Sequence, residues 1–301
     1  MDQARRIVMS SPDHYEVCYS INPWMKPDEW AADPAMAGQR ARAQWATLAD
    51  RLRQLGLTVE VVPAVPGLPD MVFPANAGIV LNGRALLARF RCRERQGEEA
   101  RFLAFFLDLQ RRALVDEVRQ VPEGIFQEGA GDCIWDARRQ LFWVGYGQRS
   151  VGESVDHIAL FFGQPVRRLA LVTPHFYHLD TCFCVLSGGE ILYYPPALSA
   201  ESQALVAAEV PAELRIVATA EEAAAFSLNA VNIGRDLVMA GPPPRLKAIL
   251  EERGYRCHGV DLSSYMLSGG AAYCMTLRLD LASRPALDDN LPEDRQWQFG
   301  T

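Results

Sequence analysis

Residues 78–90 read GIVLNGRALLARF, two apolar runs held apart by Asn82-Gly83. Asn-Gly is the dipeptide of the two-residue type I′ turn, because both central residues of that turn need positive φ. The stretch therefore predicts an antiparallel hairpin. Helical spacing follows over Glu98–Leu114, and then a third extended run, VDEVRQVP (115–122). Hairpins fit poorly in a doubly wound α/β sheet, whose parallel neighbours are joined by crossovers. They fit a small strand–strand–helix–strand unit.

The same order recurs along the chain. DCIWDARRQLFWVGYG (132–147), CFCVLSGGEILYYP (182–195) and AVNIGRDLVMAG (230–241) each read as two strands around a turn. Helices are expected after them at Val151–Phe162, Ala200–Glu209 and Pro244–Arg253, and the extended runs VRRLALVTP, LRIVATA and YRCHGVDLSS close the units. A further helix, Met36–Leu55, carries Ala41, Trp45, Leu48, Ala49 and Leu52 on one face. It leads into LTVEVVP but has no hairpin before it; the missing halves stand at the two ends, RRIVMSSP (5–12) and AAYCMTLRLDL (271–281). The repeat length of roughly 40 to 55 residues falls in the range of propellers and arrays. Pairing the ends would close a ring of five ββαβ units and protect its sheet edges. The expectation is one α/β domain over residues 1–301, a five-bladed α/β propeller closed by its N- and C-terminal strands. An ordinary doubly wound sheet is the alternative.

With 301 residues, 49% of them hydrophobic, the chain can bury a large core. A net charge of −7 and the absence of a Lys/Arg block argue against a nucleic-acid partner. No run of about eighteen uncharged apolar residues predicts a membrane span. The N-terminal stretch MDQARRIVMSSPDHYE lacks the apolar segment of a secretory leader. Seven cysteines without a CxxC pair read as reduced thiols, which places the chain in the cytoplasm. Oligomeric state is left open, with a homo-oligomer compatible.

A closed ring gathers unit ends from distant sequence. The polar residues at hairpin entrances are therefore read together: PDMVFPANAG (69–78), FQEGAGDCIWD (126–136), FYHLDTCF (176–183), FSLNAVNIG (226–234) and SGGAAYCMTL (268–277). Strand alternation would put His178 and Asp180 on one side. Asp70, Glu128 and Asp132 add carboxylates, a set that suits a cation, whether organic or a metal. His175, His178, Asp180 and Glu128 could in principle ligate a metal, but HExxH and clustered Cys/His spacings are absent and none is expected. Most cysteines read as inert and buried, although Cys182 or Cys184 could face the site. Cys274 differs, because it follows small residues at an entrance, and a thiolate there could act as a nucleophile.

With these stretches, and with SSPDHYEVCYSINPWM (10–25), RERQGEE (93–99), GYGQRS (145–150) and SGGAAYCMTLR (268–278), the chain resembles the guanidino-group modifying enzymes of the pentein fold. These include arginine deiminases, dimethylarginine dimethylaminohydrolases, amidinotransferases and arginine dihydrolases, and the resemblance is strongest to the dihydrolases. It implies Cys274 as nucleophile, His178 as general acid and base, and Glu128 and Asp180 as carboxylates on the guanidinium. It further implies Asp70 as a substrate or supporting residue, Arg95 and Arg149 near the amino-acid end, Asn22 at the site mouth and Ser268 as a backbone contact. Ser268 stands where alanine is expected and Pro74 where threonine is expected. Asn76 replaces the aspartate of deiminases and matches the dihydrolases. The implied reaction converts arginine to ornithine, carbon dioxide and two ammonia without metal or organic cofactor. Alternatives are release at citrulline, as in a deiminase or dimethylarginine hydrolase, amidino transfer, or a non-enzymatic pentein binder. The dihydrolases can carry a further C-terminal domain, which this sequence is expected to lack.

Overall fold

The computed structural model of the chain describes residues 5–283. Near the N-terminus, β1 (Arg6–Ser10) pairs in parallel with β2 (Thr58–Val62), and the helix Pro34–Gln54 connects them. Asp33 caps that helix by accepting from the Met36 N–H at 3.0 Å, and Pro34 opens it, where a missing N–H costs nothing. Ala37, Ala41, Leu48, Ala49 and Leu52 form its buried face. Trp45 is only half-buried and donates its indole N–H to the Ser10 carbonyl at 2.7 Å.

Four further sheets repeat this plan with the hairpin intact. They are β3 (Gly78–Leu81), β4 (Arg84–Leu87) and β5 (Glu117–Gln120); β6 (Cys133–Asp136), β7 (Leu141–Tyr146) and β8 (Val166–Ala170); β9 (Phe183–Val185), β10 (Ile191–Tyr193) and β11 (Arg215–Val217); and β12 (Val231–Ile233), β13 (Asp236–Ala240) and β14 (Arg256–Val260). In each the middle strand is antiparallel to the first and parallel to the third. The helices Glu98–Arg111, Ser154–Phe162, Ala200–Glu209 and Pro244–Glu252 make the crossovers. The Asn82-Gly83 turn has φ of 53° and 71°, as a type I′ turn requires. Val151–Glu153, expected to be helical, forms a turn ahead of its helix instead.

The fifth hairpin forms from the chain ends: β15 (Leu277–Arg278) runs antiparallel to β1, with Ile7 opposite Arg278 and Val8 opposite Leu277. Among the described residues the fold is thus α/β, with five three-stranded sheets. The first strands of all five sheets, β3, β6, β9, β12 and β15, contribute residues to one largely apolar cavity of about 230 Å³.

Short turns precede these first strands and carry the polar residues. Pro69–Val72, Pro74–Ala77 and Leu179–Thr181 are 3₁₀ turns, and Gly129–Asp132 is one helical turn. Gly129, at φ 64°, lets that turn touch the Asn76 turn; a Cβ there would lie 2.4 Å from the Ala75 carbonyl oxygen. A Cβ on Gly131 would lie 2.2 Å from Asn76 Nδ2. The expected alternation of His178 and Asp180 along a strand is not found, because Leu179–Thr181 is a 3₁₀ turn.

Candidate active site

Cys274 is buried just ahead of β15. Its thiol lies 3.0 Å from Asp180 Oδ2, to which it donates. From another direction Asn229 Nδ2 donates to the same sulfur at 3.0 Å. Asp180 is buried, and its other oxygen, Oδ1, has no hydrogen-bond partner. Burial lifts the Asp180 carboxyl to about 7, against the hydrogen bonds from Cys274 and Asn229. Burial, and then Asp180, push the Cys274 thiol well above its ordinary value.

The imidazole side is organised around Glu128. His178 Nε2 lies 2.7 Å from Glu128 Oε2, and Arg149 Nη1 lies 3.2 Å from the same oxygen. Oε1 accepts from the Arg91 backbone N–H at 3.0 Å. Burial would raise the Glu128 carboxyl, but Arg149, His178 and Arg95 together outweigh it and hold it at about 2. Asp132 braces this side by accepting from Ser150 Oγ at 2.6 Å and the Leu179 N–H at 3.0 Å; burial lifts it to about 6.

Asn76 links imidazole and guanidinium. Its Oδ1 accepts from Arg95 Nη1 at 2.7 Å, which leaves Nδ2 as the donor 3.3 Å from His178 Nδ1. That pattern assigns the ring proton to Nε2, facing Glu128. Arg95 is itself fixed by Glu98, through Nε at 2.9 Å and Nη2 at 2.8 Å, and by the Asp70 carbonyl at 3.0 Å.

Asn22, Asp70, Asn76, Arg95, Arg149, Ser268 and Cys274 line one cavity, with Ile21, Phe73, Tyr177 and Gly270 completing its wall. Asp70 Oδ2 accepts from Tyr19 at 2.9 Å, while Oδ1 is buried without a partner. Asn22 Nδ2 donates to the Ser268 carbonyl at 3.0 Å, and the Ser268 hydroxyl turns away to Tyr15 at 2.9 Å. Arg149 stacks over Tyr177 at 4.8 Å and donates to the Ile21 carbonyl at 2.8 Å. The cavity measures about 10 Å³, room for one water.

The structure thus brings together all ten expected site residues. Sequence reasoning missed Asn229, although NAVNI had been singled out, and Glu98, which stands one helical turn after Arg95 in RERQGEE. Cys182 and Cys184 do not line this cavity; their thiols lie 3.5 Å from the Leu179 carbonyl and 3.8 Å from the Ala230 carbonyl. Among the described residues no group of three or more His, Cys, Asp or Glu side chains could hold a metal ion. No described helix is long and apolar enough to cross a membrane.

A buried pocket with a thiol, an imidazole and unpaired carboxylate oxygens suits nucleophilic chemistry on an organic cation. The model of the family described as N,N dimethylarginine dimethylhydrolase, eukaryotic, matches residues 18–281, and the chain belongs to that family. It is 40% identical over 284 residues to the bifunctional arginine dihydrolase/ornithine cyclodeaminase ArgZ of Synechocystis sp., covering 94% of this chain and 38% of that one. It is 36% identical over 277 residues to the N(G),N(G)-dimethylarginine dimethylaminohydrolase of Mycobacterium tuberculosis, covering 92% and 86%. The crystal structure of the N-terminal domain of ArgZ, as a cysteine-to-serine mutant bound to substrate, superposes with a TM-score of 0.87 at 39% identity, covering 93% of this chain and 100% of that one. The chain spans about two fifths of the length of the bifunctional relatives.

Proposed function

We propose that the chain is an arginine dihydrolase acting through a covalent adduct on Cys274. In this reading the guanidinium enters the cavity and its N–H groups satisfy the unpaired oxygens of Asp70 and Asp180. Admission requires the Ile21–Asn22 segment to lift, which breaks its bonds from Arg149 and to Ser268. Arg149, released from Ile21, then faces the substrate carboxylate.

The Cys274 thiolate adds to the guanidinium carbon. With Glu128 to balance the charge, His178 takes up at Nδ1 the proton that the Cys274 thiol gives up and delivers it to the departing nitrogen. Ammonia leaves and a thiouronium adduct remains. The neutral ring then takes a proton from water, whose oxygen adds to the same carbon; the C–S bond breaks and gives citrulline. A second round on citrulline adds water, releases ammonia, and yields ornithine and carbon dioxide. The sum is arginine plus two water to ornithine, carbon dioxide and two ammonia.

The observation that carries the dihydrolase reading is Asn76, held between Arg95 and His178. A neutral amide beside the reacting carbon suits a neutral ureido intermediate better than a carboxylate would. The expected product from arginine is ornithine without urea, and Asn76→Asp should make citrulline accumulate. Unchanged ornithine yield in that variant would count against the role of the amide. The second reading, hydrolysis of dimethylarginine, is favoured by the family model and the mycobacterial relative. Dimethylamine released from dimethylarginine, with no ornithine from arginine, would select it.

The same reading arranges the five sheets as a five-bladed propeller in one catalytic domain. Support comes from the β1–β15 closure and from the cavity shared by the first strands of all five sheets. Its free thiols suit a reducing compartment such as the cytoplasm.

A further inference from the structure

Asn229 is wholly buried at the entrance to β12. Its Oδ1 accepts two backbone N–H groups from the nucleophile's own loop, those of Ala271 at 3.2 Å and Cys274 at 3.1 Å. Those two bonds fix which end of the amide is oxygen. Nδ2 must then direct its two hydrogens to the Asp180 carbonyl, at 3.2 Å, and to the Cys274 sulfur, at 3.0 Å. All four bonding positions are filled, so rotation of the amide would break several bonds at once. The main-chain carbonyl of Asn229 also accepts from the Tyr273 N–H at 3.3 Å.

We propose that Asn229 is a further catalytic residue, whose fixed amide N–H stabilises the thiolate form of Cys274 while its oxygen holds the loop that presents the sulfur. The inference rests on the reading of Cys274 as nucleophile. The sulfur has two polar side-chain neighbours of opposite effect. Asp180 accepts the thiol proton and, when ionised, repels a thiolate. Asn229 can only donate, and a donor is worth more to a thiolate than to a thiol. Burial and then Asp180 raise the thiol; the Ala271 backbone N–H and, after it, the Asn229 side chain pull against them. As the proton leaves, the Asn229 N–H remains in place and its bond strengthens. It needs no reorganisation, because the backbone bonds to Oδ1 already hold it.

The test is the pH profile of Cys274 alkylation by iodoacetamide, read on the Cys274 peptide by mass spectrometry, with Tm recorded in parallel. Asn229→Asp keeps the acceptor for the two N–H groups and replaces the donor with an acceptor. It should move the profile to higher pH and slow alkylation near neutral pH by about tenfold or more. Asp180→Asn should move the profile the other way. If Asn229→Asp does not fold, Asn229→Ser carries the same comparison, with a smaller shift in the same direction. A profile superimposable on that of the unaltered protein, with only a lower Tm, would reduce Asn229 to a structural role and overturn the proposal. The assay uses no guanidino substrate, so its outcome is separate from that of the product analysis.

Discussion

On one side of the cavity, Glu128 has four hydrogen-bonding or ionic partners' worth of support: His178, Arg149, the Arg91 N–H and the more distant charge of Arg95. On the other, the Asp180 carboxyl has the Cys274 thiol and the Asn229 amide as its supports, no cation, and one oxygen left bare. Both carboxylates are buried, yet one is held at about 2 and the other is lifted to about 7. The difference teaches that burial alone does not set a carboxyl's charge; the number of cations and donors around it does. The imidazole side keeps a negative charge on Glu128, which would balance the ring whenever it takes a second proton in the proposed reaction. On the proposed function, the thiol side would keep its proton until a guanidinium beside Asp180 favoured loss of protons from Asp180 and Cys274 together.

The largest effect should come from removing the charge on the imidazole side. Glu128→Gln leaves Arg149 without its anion and the His178 Nε2–H without a charged acceptor, and should lower kcat by on the order of 10² or more. Measured turnover within a few-fold of the unaltered protein would erase the contrast between the two sides. A smaller effect concerns stability. The Asp180 carboxyl goes from an ordinary 3.8 to about 7 on folding, so the folded state binds more protons between those values. Its contribution is therefore greatest at low pH and is lost as pH rises through about 4 to 7. Glu128 has the opposite sign: its contribution is present above 4.5 and is lost as pH falls towards about 2. Asp180→Asn should therefore flatten the fall of Tm across the range from about 4 to 7. An unchanged slope in that variant would place the titration elsewhere, with Asp132, lifted to about 6, the next group to examine.

Much of the fold was legible because its signals are local. Asn82-Gly83 demands one turn type, and the helix Pro34–Gln54 carries an apolar period over several turns. Even the pairing of the chain ends followed from counting strands, since RRIVMSSP and AAYCMTLRLDL were the halves without partners. The site was legible in membership more than in geometry. His178 and Asp180 were expected to share a strand face, whereas a 3₁₀ turn sends one to Glu128 and the other to Cys274. Turns of three or four residues have no period to read. Asn229 escaped notice because its importance lies in touching Cys274 across 45 residues of chain, a relation that spacing does not encode.

The central claim is that the Cys274 sulfur forms a bond to the guanidinium carbon. Mass spectrometry of the protein quenched during turnover of arginine tests it most directly. The account predicts an arginine-dependent adduct on the peptide containing Cys274, absent in Cys274→Ser. Substrate turnover with that peptide never modified, or undiminished turnover in Cys274→Ser, would contradict it.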